Sequence, residues 1–211
     1  MQSLSRIYLA TSNSGKVRDF QAAAANLGVT VATLPGFQTF PQAIEHGSTF
    51  DENARLKAEH YSRLSPGNLI VADDSGLVVQ ALNGAPGVHS ARYAAAVRGG
   101  PESNANSNDT DNNELLISQL QRLPESRRSG KFVCVIAAAK DGTTLQTFFG
   151  DVEGELLTAP QGTHGFGYDP LFYYRPLGKT FAELPAEEKA LYSHRGKAFR
   201  NFLDWVTEIV A

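Results

Sequence analysis

Two adjacent carboxylates, Asp73 and Asp74, stand between two short apolar runs of the sequence. Leu69-Ile70-Val71 precedes the pair and Leu77-Val78-Val79 follows it, and both runs are typical of strands. A strand, a turn permitted by Gly76 and a second strand are therefore predicted. Paired carboxylates at a strand end suit a divalent metal, a general base or both, although an ordinary acidic turn explains the same residues.

A polar loop, 11–16, directly follows an apolar run near the start of the chain. The pattern predicts a strand, this loop and then a helix over 16–27 that a glycine ends. Free N–H groups at a helix start, with Lys16 beside them, form an anion site. A P-loop is excluded, because Ala10 and Val17 stand where that motif needs glycine and serine or threonine.

Two later segments combine glycine, aromatic and charged residues. Phe166 lies between glycines, where it could stack on a nucleobase or serve as a core aromatic. A dinucleotide fingerprint is excluded, because Pro170 stands where the third glycine would be needed. Ser193 has the position of an N-cap for the last helix, directly before His194 and Arg195.

Composition narrows the class of protein. The 211 residues suffice for one large domain or two lobes, and 42% apolar content supports a packed core. A net charge of −3 gives no general basic field to attract nucleic acid. The single cysteine, Cys134, lies in an apolar run and is expected to be a packed thiol. No apolar run reaches the length of a membrane span and no signal peptide is evident, so a cytoplasmic protein without membrane contact is expected.

The remaining patterns alternate between helix and strand. Thr49 and Glu52 have capping-box spacing for a helix over 50–64. The segment 99–113 is read as a mobile surface loop, either a solvated insertion or a lid, followed by a helix capped at Asp111 that ends near residue 123. Strands over 131–140 and 143–150 form a hairpin, and the last helix carries an apolar stripe. The stripe comprises Phe199, Phe202, Leu203, Val206, Ile209 and Val210. These elements predict an α/β fold with a mixed sheet.

Seven motifs, in order, resemble those of the inosine triphosphate pyrophosphatase family, also called dITP/XTP pyrophosphatases. They span nearly the whole chain, and the resemblance implies one domain over 1–211. The implied fold is an elongated mixed central sheet flanked by helices, with two lobes and an active-site cleft between them. The motifs are Thr11-Ser12-Asn13-Ser14-Gly15-Lys16, Thr49-Phe50-Asp51-Glu52-Asn53-Ala54, Ala72-Asp73-Asp74-Ser75-Gly76-Leu77, Gly84-Ala85-Pro86-Gly87, Ser90-Ala91-Arg92-Tyr93, Gly165-Phe166-Gly167-Tyr168-Asp169-Pro170 and Ser193-His194-Arg195-Gly196.

The resemblance implies an enzyme that hydrolyses ITP, dITP and XTP to the monophosphate and pyrophosphate, with Mg²⁺ as cofactor. Its members remove deaminated purines from the nucleotide pool and are usually homodimers. A pyrophosphatase for another modified nucleotide and a catalytically silent nucleotide-binding regulator are the alternatives. The retained acidic pair argues against the silent regulator, because binding alone would not require it.

The resemblance also assigns roles to residues of this chain. Asp74 is the implied general base and, with Glu45, a metal ligand, with Asp73 as a further member of the acidic site; Ile44 occupies a place where relatives often carry an acid. Arg195 is the candidate reader of the 6-oxo group of the base. The implied substrate-binding residues are Thr11, Ser12, Asn13, Ser14, Gly15, Lys16, Ser75, Phe166, Gly167, Tyr168, Asp169, Lys189, His194 and Arg195. Ser12 and His164 stand where many members have glycine, which could alter loop geometry.

Overall fold

The fold was analysed in a computed structural model of the protein, in which the described residues are 6–25, 27–99 and 105–210, without the side chains of 209 and 210. The strands are β1 Arg6–Leu9, β2 Thr30–Thr33, β3 Ile70–Val78, β4 Ser129–Lys140, β5 Thr143–Leu156, β6 Phe172–Tyr174 and β7 Lys179–Thr180. The α-helices are α1 Ser14–Ala24, α2 Phe50–Leu64, α3 Tyr93–Arg98, α4 Asp109–Leu120, α5 Ala186–Tyr192 and α6 His194–Val210.

Within the described residues, the strands form one seven-stranded sheet in the order β2-β1-β3-β4-β5-β6-β7. β1 pairs in parallel with both β2 and β3, whereas β6 pairs antiparallel with β5 and with β7. Helices connect the early parallel strands, and a two-residue turn at Asp141 and Gly142, both with positive φ, connects β4 to β5. The predicted α/β class, mixed sheet and hairpin are confirmed.

The chain divides into two compact units, and β3, β4 and β5 each run from one unit into the other. The first unit comprises Met1–Ser75, Val133–Asp151 and Ala190–Ala211, and the second comprises Gly76–Phe132 and Val152–Lys189. Each unit has its own apolar core. The predicted cleft and the assignment of 1–211 to a single domain stay predictions. No helix in the described part of the chain is long and apolar enough to cross a membrane.

Three local predictions are confirmed by particular contacts. α2 spans Phe50–Leu64 as predicted, because Thr49 and Glu52 form a complete capping box. Ser193 accepts a hydrogen bond from the N–H of Gly196 through its hydroxyl, over 3.1 Å, as an N-cap of α6 does. Cys134 is fully buried, and burial raises the pKa of its thiol. The apolar stripe of α6 lies in the first unit's core through Phe199, Phe202 and Val206, with Leu203 against it; the side chains of residues 209 and 210 lie outside the described set.

The predicted turn at the acidic pair is wrong, because β3 continues through Asp73, Asp74 and Ser75 without a break. Gly76 has a different function from the one that a turn would require. A methyl group at Gly76 would collide with the Ser90 hydroxyl and would lie 2.7 Å from the carbonyl oxygen of Gly87. The glycine is therefore needed for close packing against a neighbouring segment of the second unit.

Two helix starts also differ from the predictions, because a capping asparagine lies ahead of each predicted start. Asn13 accepts a hydrogen bond from the N–H of Lys16, so α1 begins at Ser14 and ends at Ala24. Asn108 accepts from the N–H of Asp111, so α4 begins at Asp109, and it ends at Leu120. The predicted mobile loop over 99–113 is thus wrong for its last residues, while 100–104 lie outside the described residues.

Candidate active site

Asp73 and Asp74 occupy consecutive positions of β3, so their side chains leave opposite faces of the strand. Both are buried, with 4% and 8% of their surfaces exposed. Burying two neighbouring charges is unfavourable unless cations or hydrogen-bond donors compensate them. In the first unit each carboxylate has its own set of such partners.

Asp73 is bound by cations from two distant segments. The Nζ atom of Lys16 lies 2.9 Å from its Oδ2 atom, and the Nε atom of Arg195 lies 3.6 Å from the same oxygen. The hydroxyl of Ser75 donates a hydrogen bond to that oxygen over 3.0 Å. Burial alone would raise the pKa of Asp73, but these cations outweigh it and lower the pKa to about 2. Asp73 is therefore a fixed charge and a weak base.

The low pKa of Asp73 predicts that the protein loses stability in acid. The unfolded chain takes up this proton near the ordinary pKa of 3.8, whereas the folded protein takes it up only near pH 2. The stabilising contribution is complete above pH ~4 and is lost as the pH falls to about 2, by about 2 kcal/mol. Urea unfolding between pH 6 and 2.5 should show this decline, and Asp73→Asn should decline less over the same range. Equal declines in the two proteins would contradict the assignment.

Asp74 is held by two side chains of α2. Asn53 donates from its amide nitrogen to the Oδ2 atom over 3.2 Å, and the Nζ atom of Lys57 lies 3.2 Å from the Oδ1 atom. The same Nζ atom lies 2.9 Å from an oxygen of Glu45. Asn53 also accepts a hydrogen bond from the N–H of Gly47 over 2.8 Å, which ties the segment that carries Glu45 to α2. Two carboxylates from different segments thus meet at one cation.

Sequence reasoning missed Lys57, although a signal was present. Asn53 and Lys57 are one helical turn apart on α2, on the face that also carries the buried Ala54 and Ala58. A lysine on a buried face needs anionic partners, so its position indicates a site. Burial by itself would lower the pKa of Lys57, but Asp74, Glu45 and Asp73 together hold it above its ordinary value. Lys57 therefore stays protonated.

Glu45 and Asp74 would supply two ligands to a magnesium ion, with the rest of its coordination provided by substrate and water. The described residues contain no group of three or more His, Cys, Asp and Glu that could hold a metal. Mg²⁺ is often bound by only one or two carboxylates together with phosphate oxygens and water. The oxygens of Glu45 and Asp74 contact the same ammonium group of Lys57, so the two carboxylates lie close enough together to share a cation. Ile44 is 79% exposed and supplies no oxygen ligand from its side chain.

The polar loop before α1 has the features of an anion site. Asn13 caps the helix, and its own N–H donates to the hydroxyl of Thr11 over 3.2 Å. Ser12 and Ser14 are exposed, whereas Gly15 is buried. The first turn of a helix offers N–H groups without intrahelical partners, and Lys16 adds its charge there. Lys16 is already paired with Asp73, a contact that sequence reasoning did not foresee.

Arg195 is buried in α6 and contacts residues of β3. Only 3% of its side chain is exposed, and one guanidinium nitrogen lies 2.6 Å from a carboxylate oxygen of Asp19. Another donates to the hydroxyl of Ser75 over 2.7 Å. The first residue of α6, His194, is likewise buried. Asp19, which the sequence did not single out, fixes the orientation of Arg195; a role in reading the base stays a prediction.

The second unit gathers the other predicted residues around one loop. Asp169 accepts a hydrogen bond from the N–H of Phe166 over 3.0 Å, and the Nζ atom of Lys189 lies 2.6 Å from the same carboxylate oxygen. That ammonium group also lies 5.2 Å from the centre of the Phe166 ring. Tyr168 instead packs in the core and donates its hydroxyl to the carbonyl of Ser90. Phe166 itself is half-buried.

The chain is similar in sequence to known proteins over nearly its full length. A relative from Acidobacterium capsulatum called "dITP/XTP pyrophosphatase" is 48% identical over 93% of this chain and 96% of its own length. A protein of the same name from Thermus thermophilus is 45% identical over 94% of this chain and 90% of its own. These alignments cover nearly the full length of each protein.

Solved structures support the same relationship. A HAM1 protein from Coxiella burnetii superimposes with a TM-score of 0.79 at 38% identity, covering 96% of this chain and 98% of the other. The Ham1 protein of Staphylococcus aureus gives 0.77 at 37% identity with the same coverage. A profile of the Ham1 family matches residues 7–205, which include all seven motifs. The chain therefore belongs to the Ham1 family.

Proposed function

We propose that the protein is a Mg²⁺-dependent nucleoside triphosphate pyrophosphohydrolase that acts on ITP, dITP and XTP. The observation that carries the proposal is the meeting of Glu45 and Asp74 at Lys57, beside an Asp73 that Lys16 and Arg195 neutralise. Relatives that share 40–48% identity over nearly the full chain are called dITP/XTP pyrophosphatases. A role in clearing deaminated purines from the nucleotide pool follows from that activity.

Glu45 and Asp74 would hold the magnesium ion. When bound, the ion supplies charge neutralisation for the triphosphate oxygens. Lys57, which lies 2.9 Å from Glu45 and 3.2 Å from Asp74, would supply a second cation beside these carboxylates. The combination suits a substrate that carries about four negative charges, because an acidic site alone would repel it.

In the proposed reaction a water molecule attacks the α-phosphorus, and the bond from that atom to the bridging oxygen of the β-phosphate breaks. The products are the monophosphate and pyrophosphate. Asp74 orients the water and accepts its proton, whereas Asp73 is too weak a base for this role. Lys16 and the N–H groups at the start of α1 hold the phosphates and stabilise the leaving pyrophosphate.

The residues of the second unit suit recognition of the nucleoside. Phe166 offers a planar apolar face, with Lys189 over its ring. Arg195 and His194 are the proposed contacts to the base and the phosphates. A donor-only side chain such as arginine matches the 6-oxo group of inosine and xanthine but faces a donor in adenine.

Pyrophosphate release from ITP, XTP, dITP, GTP and ATP, with and without Mg²⁺, tests the proposal. Metal-dependent release that is fastest with ITP, dITP and XTP is expected. Binding of these nucleotides without release would support the silent regulator. Release from a different modified nucleotide alone would instead identify another substrate.

Lys16→Ala tests the phosphate loop. KM for ITP is expected to rise about tenfold or more, because a charge-assisted contact to phosphate is lost, while binding of inosine changes little. Steady-state kinetics and calorimetry with inosine give the two measurements. Arg18→Ala is the matched control, because Arg18 is an exposed cation on the same helix. Unchanged KM and kcat in Lys16→Ala would place Lys16 outside the substrate site.

Two further proposals follow from family membership. We expect a homodimer in the cytoplasm; no pattern within the chain indicates the dimer independently. Light scattering at micromolar concentration should give twice the 22.8 kDa chain mass. A stable species at the chain mass would refute the dimer.

A further inference from the structure

The start of α4 binds both backbone polar groups of Gly167, which lies in the Phe166 loop. The N–H of Gly167 donates to a carboxylate oxygen of Asp109 over 2.7 Å. The carbonyl of the same residue accepts from the amide nitrogen of Asn113 over 3.0 Å. Asp109 and Asn113 are one helical turn apart on α4, so they project side by side.

The loop needs such external contacts because its two glycines permit many backbone conformations. Gly165 and Gly167 both have positive φ angles, of 74° and 61°. A methyl group at Gly165 would collide with the carboxylate of Asp169, so a side chain could not replace this glycine. Glycine has the largest conformational entropy of any residue in a flexible chain, so Phe166 stands in a segment with little intrinsic rigidity.

With the contacts from α4, the backbone on both sides of Phe166 is hydrogen-bonded to a side chain. The N–H of Phe166 donates to Asp169, and the N–H of Gly167 donates to Asp109. Carboxylates are the stronger class of acceptor for a backbone N–H. Both peptide groups that flank Phe166 are therefore bound by acids of the second unit, the buried Asp169 and the exposed Asp109.

α4 is itself firmly seated. Asn112 is 3% exposed, and its side chain accepts a hydrogen bond from the N–H of Ala94 over 2.9 Å. Leu116 and Leu120 are fully buried in the core of the second unit. The helix is thus held in place by packing, so the contacts of Asp109 and Asn113 can set the position of the loop.

We propose that Asp109 and Asn113 are positioning residues for nucleobase binding. They fix Gly167 and thereby the plane of the Phe166 ring, so the base meets a stacking surface that is already ordered. The inference rests on the proposed function for its substrate, but the mechanical contact is independent of it. Without these side chains the base must order the loop on binding, which weakens affinity.

Hydrogen exchange and kinetics of Asp109→Ala and Asn113→Ala, each alone and combined, test the inference. Amide exchange at Phe166 and Gly167 should accelerate about tenfold in the double variant, measured on the protein without nucleotide. KM for ITP should rise about tenfold while kcat changes less than about twofold. Loss of folded protein alone would instead lower the apparent kcat and leave KM unchanged.

Asp111→Ala is the matched control. It removes the same charge from the same helical turn, but Asp111 pairs with Arg98 near the surface rather than with the loop. The control should leave both exchange at Gly167 and KM unchanged. Unaltered exchange in the double variant would overturn the mechanical contact, and faster exchange with unaltered KM would overturn the positioning role. Absence of ITP hydrolysis in the unmodified protein would count against the proposed function, while exchange would still decide whether α4 fixes the loop.

Discussion

Asp74→Asn is expected to lower pyrophosphate release from ITP by about 10²–10⁴-fold, or more if metal binding is lost as well. The amide keeps the shape of the carboxylate, and its oxygen can still accept a hydrogen bond from Asn53 or Lys57, which hold Asp74 in the native protein. It cannot take up the proton of the attacking water. Release should therefore fall while circular dichroism and the thermal midpoint show a folded protein.

Asp51→Asn is the control for this experiment. Asp51 is an exposed carboxylate of α2 that pairs with Arg55, so the variant changes net charge equally without touching the site. Its release rate should match that of the unmodified protein. Near-normal release from folded Asp74→Asn would remove the general-base assignment.

Arg195→Ala should destabilise the folded protein and reduce its selectivity for ITP over ATP. Removing one partner of a buried ion pair typically costs about 3–5 kcal/mol, because the remaining charge loses its compensation. Here Asp19 loses the guanidinium nitrogen that lies 2.6 Å from its carboxylate, and Asp73 loses one of its cations. At temperatures where the variant is folded, kcat/KM for ITP should fall and the ratio of ITP to ATP hydrolysis should narrow.

Lys197→Ala separates these effects from a general loss of charge on α6. Lys197 is exposed and donates to the carbonyl of Asp151, so its removal should change stability and the hydrolysis rates little. Asp19→Asn should reproduce part of the instability without removing the guanidinium group. If Arg195→Ala lowers the ITP and ATP rates by the same factor, Arg195 is a phosphate contact and the base is read elsewhere.

The sequence predicted the fold well where the signal was local. The capping box gave α2 its bounds, and Asp141-Gly142 gave the hairpin, because both depend on residues within a few positions of one another. β3 was misread because Asp, Ser and Gly are common in turns. The segment is a strand because it lies between β1 and β4 in the sheet, and its two carboxylates are compensated by Lys16, Lys57 and Arg195, which come from other segments of the chain.

The candidate site was predicted in part for the same reason. Asp74, Glu45 and Lys16 could be named from motifs, and the structure of the first unit brings all three into one network. Lys57 and Asp19 were missed because each acts through a partner many residues away. Tyr168 was placed at the substrate by its motif, yet its hydroxyl bonds to a backbone carbonyl in the core, so substrate contact by Tyr168 stays a prediction.

The pair between Asp19 and Arg195 joins residues 176 positions apart. On the ribosome, α1 emerges long before α6, so the first unit cannot close while most of the chain is being synthesised. The second unit ends at Lys189, so its last residue is synthesised before α6. Ribosome-bound chains that stop before α6 should therefore expose a protease-sensitive first unit, and release of the last twenty or so residues should complete its folding.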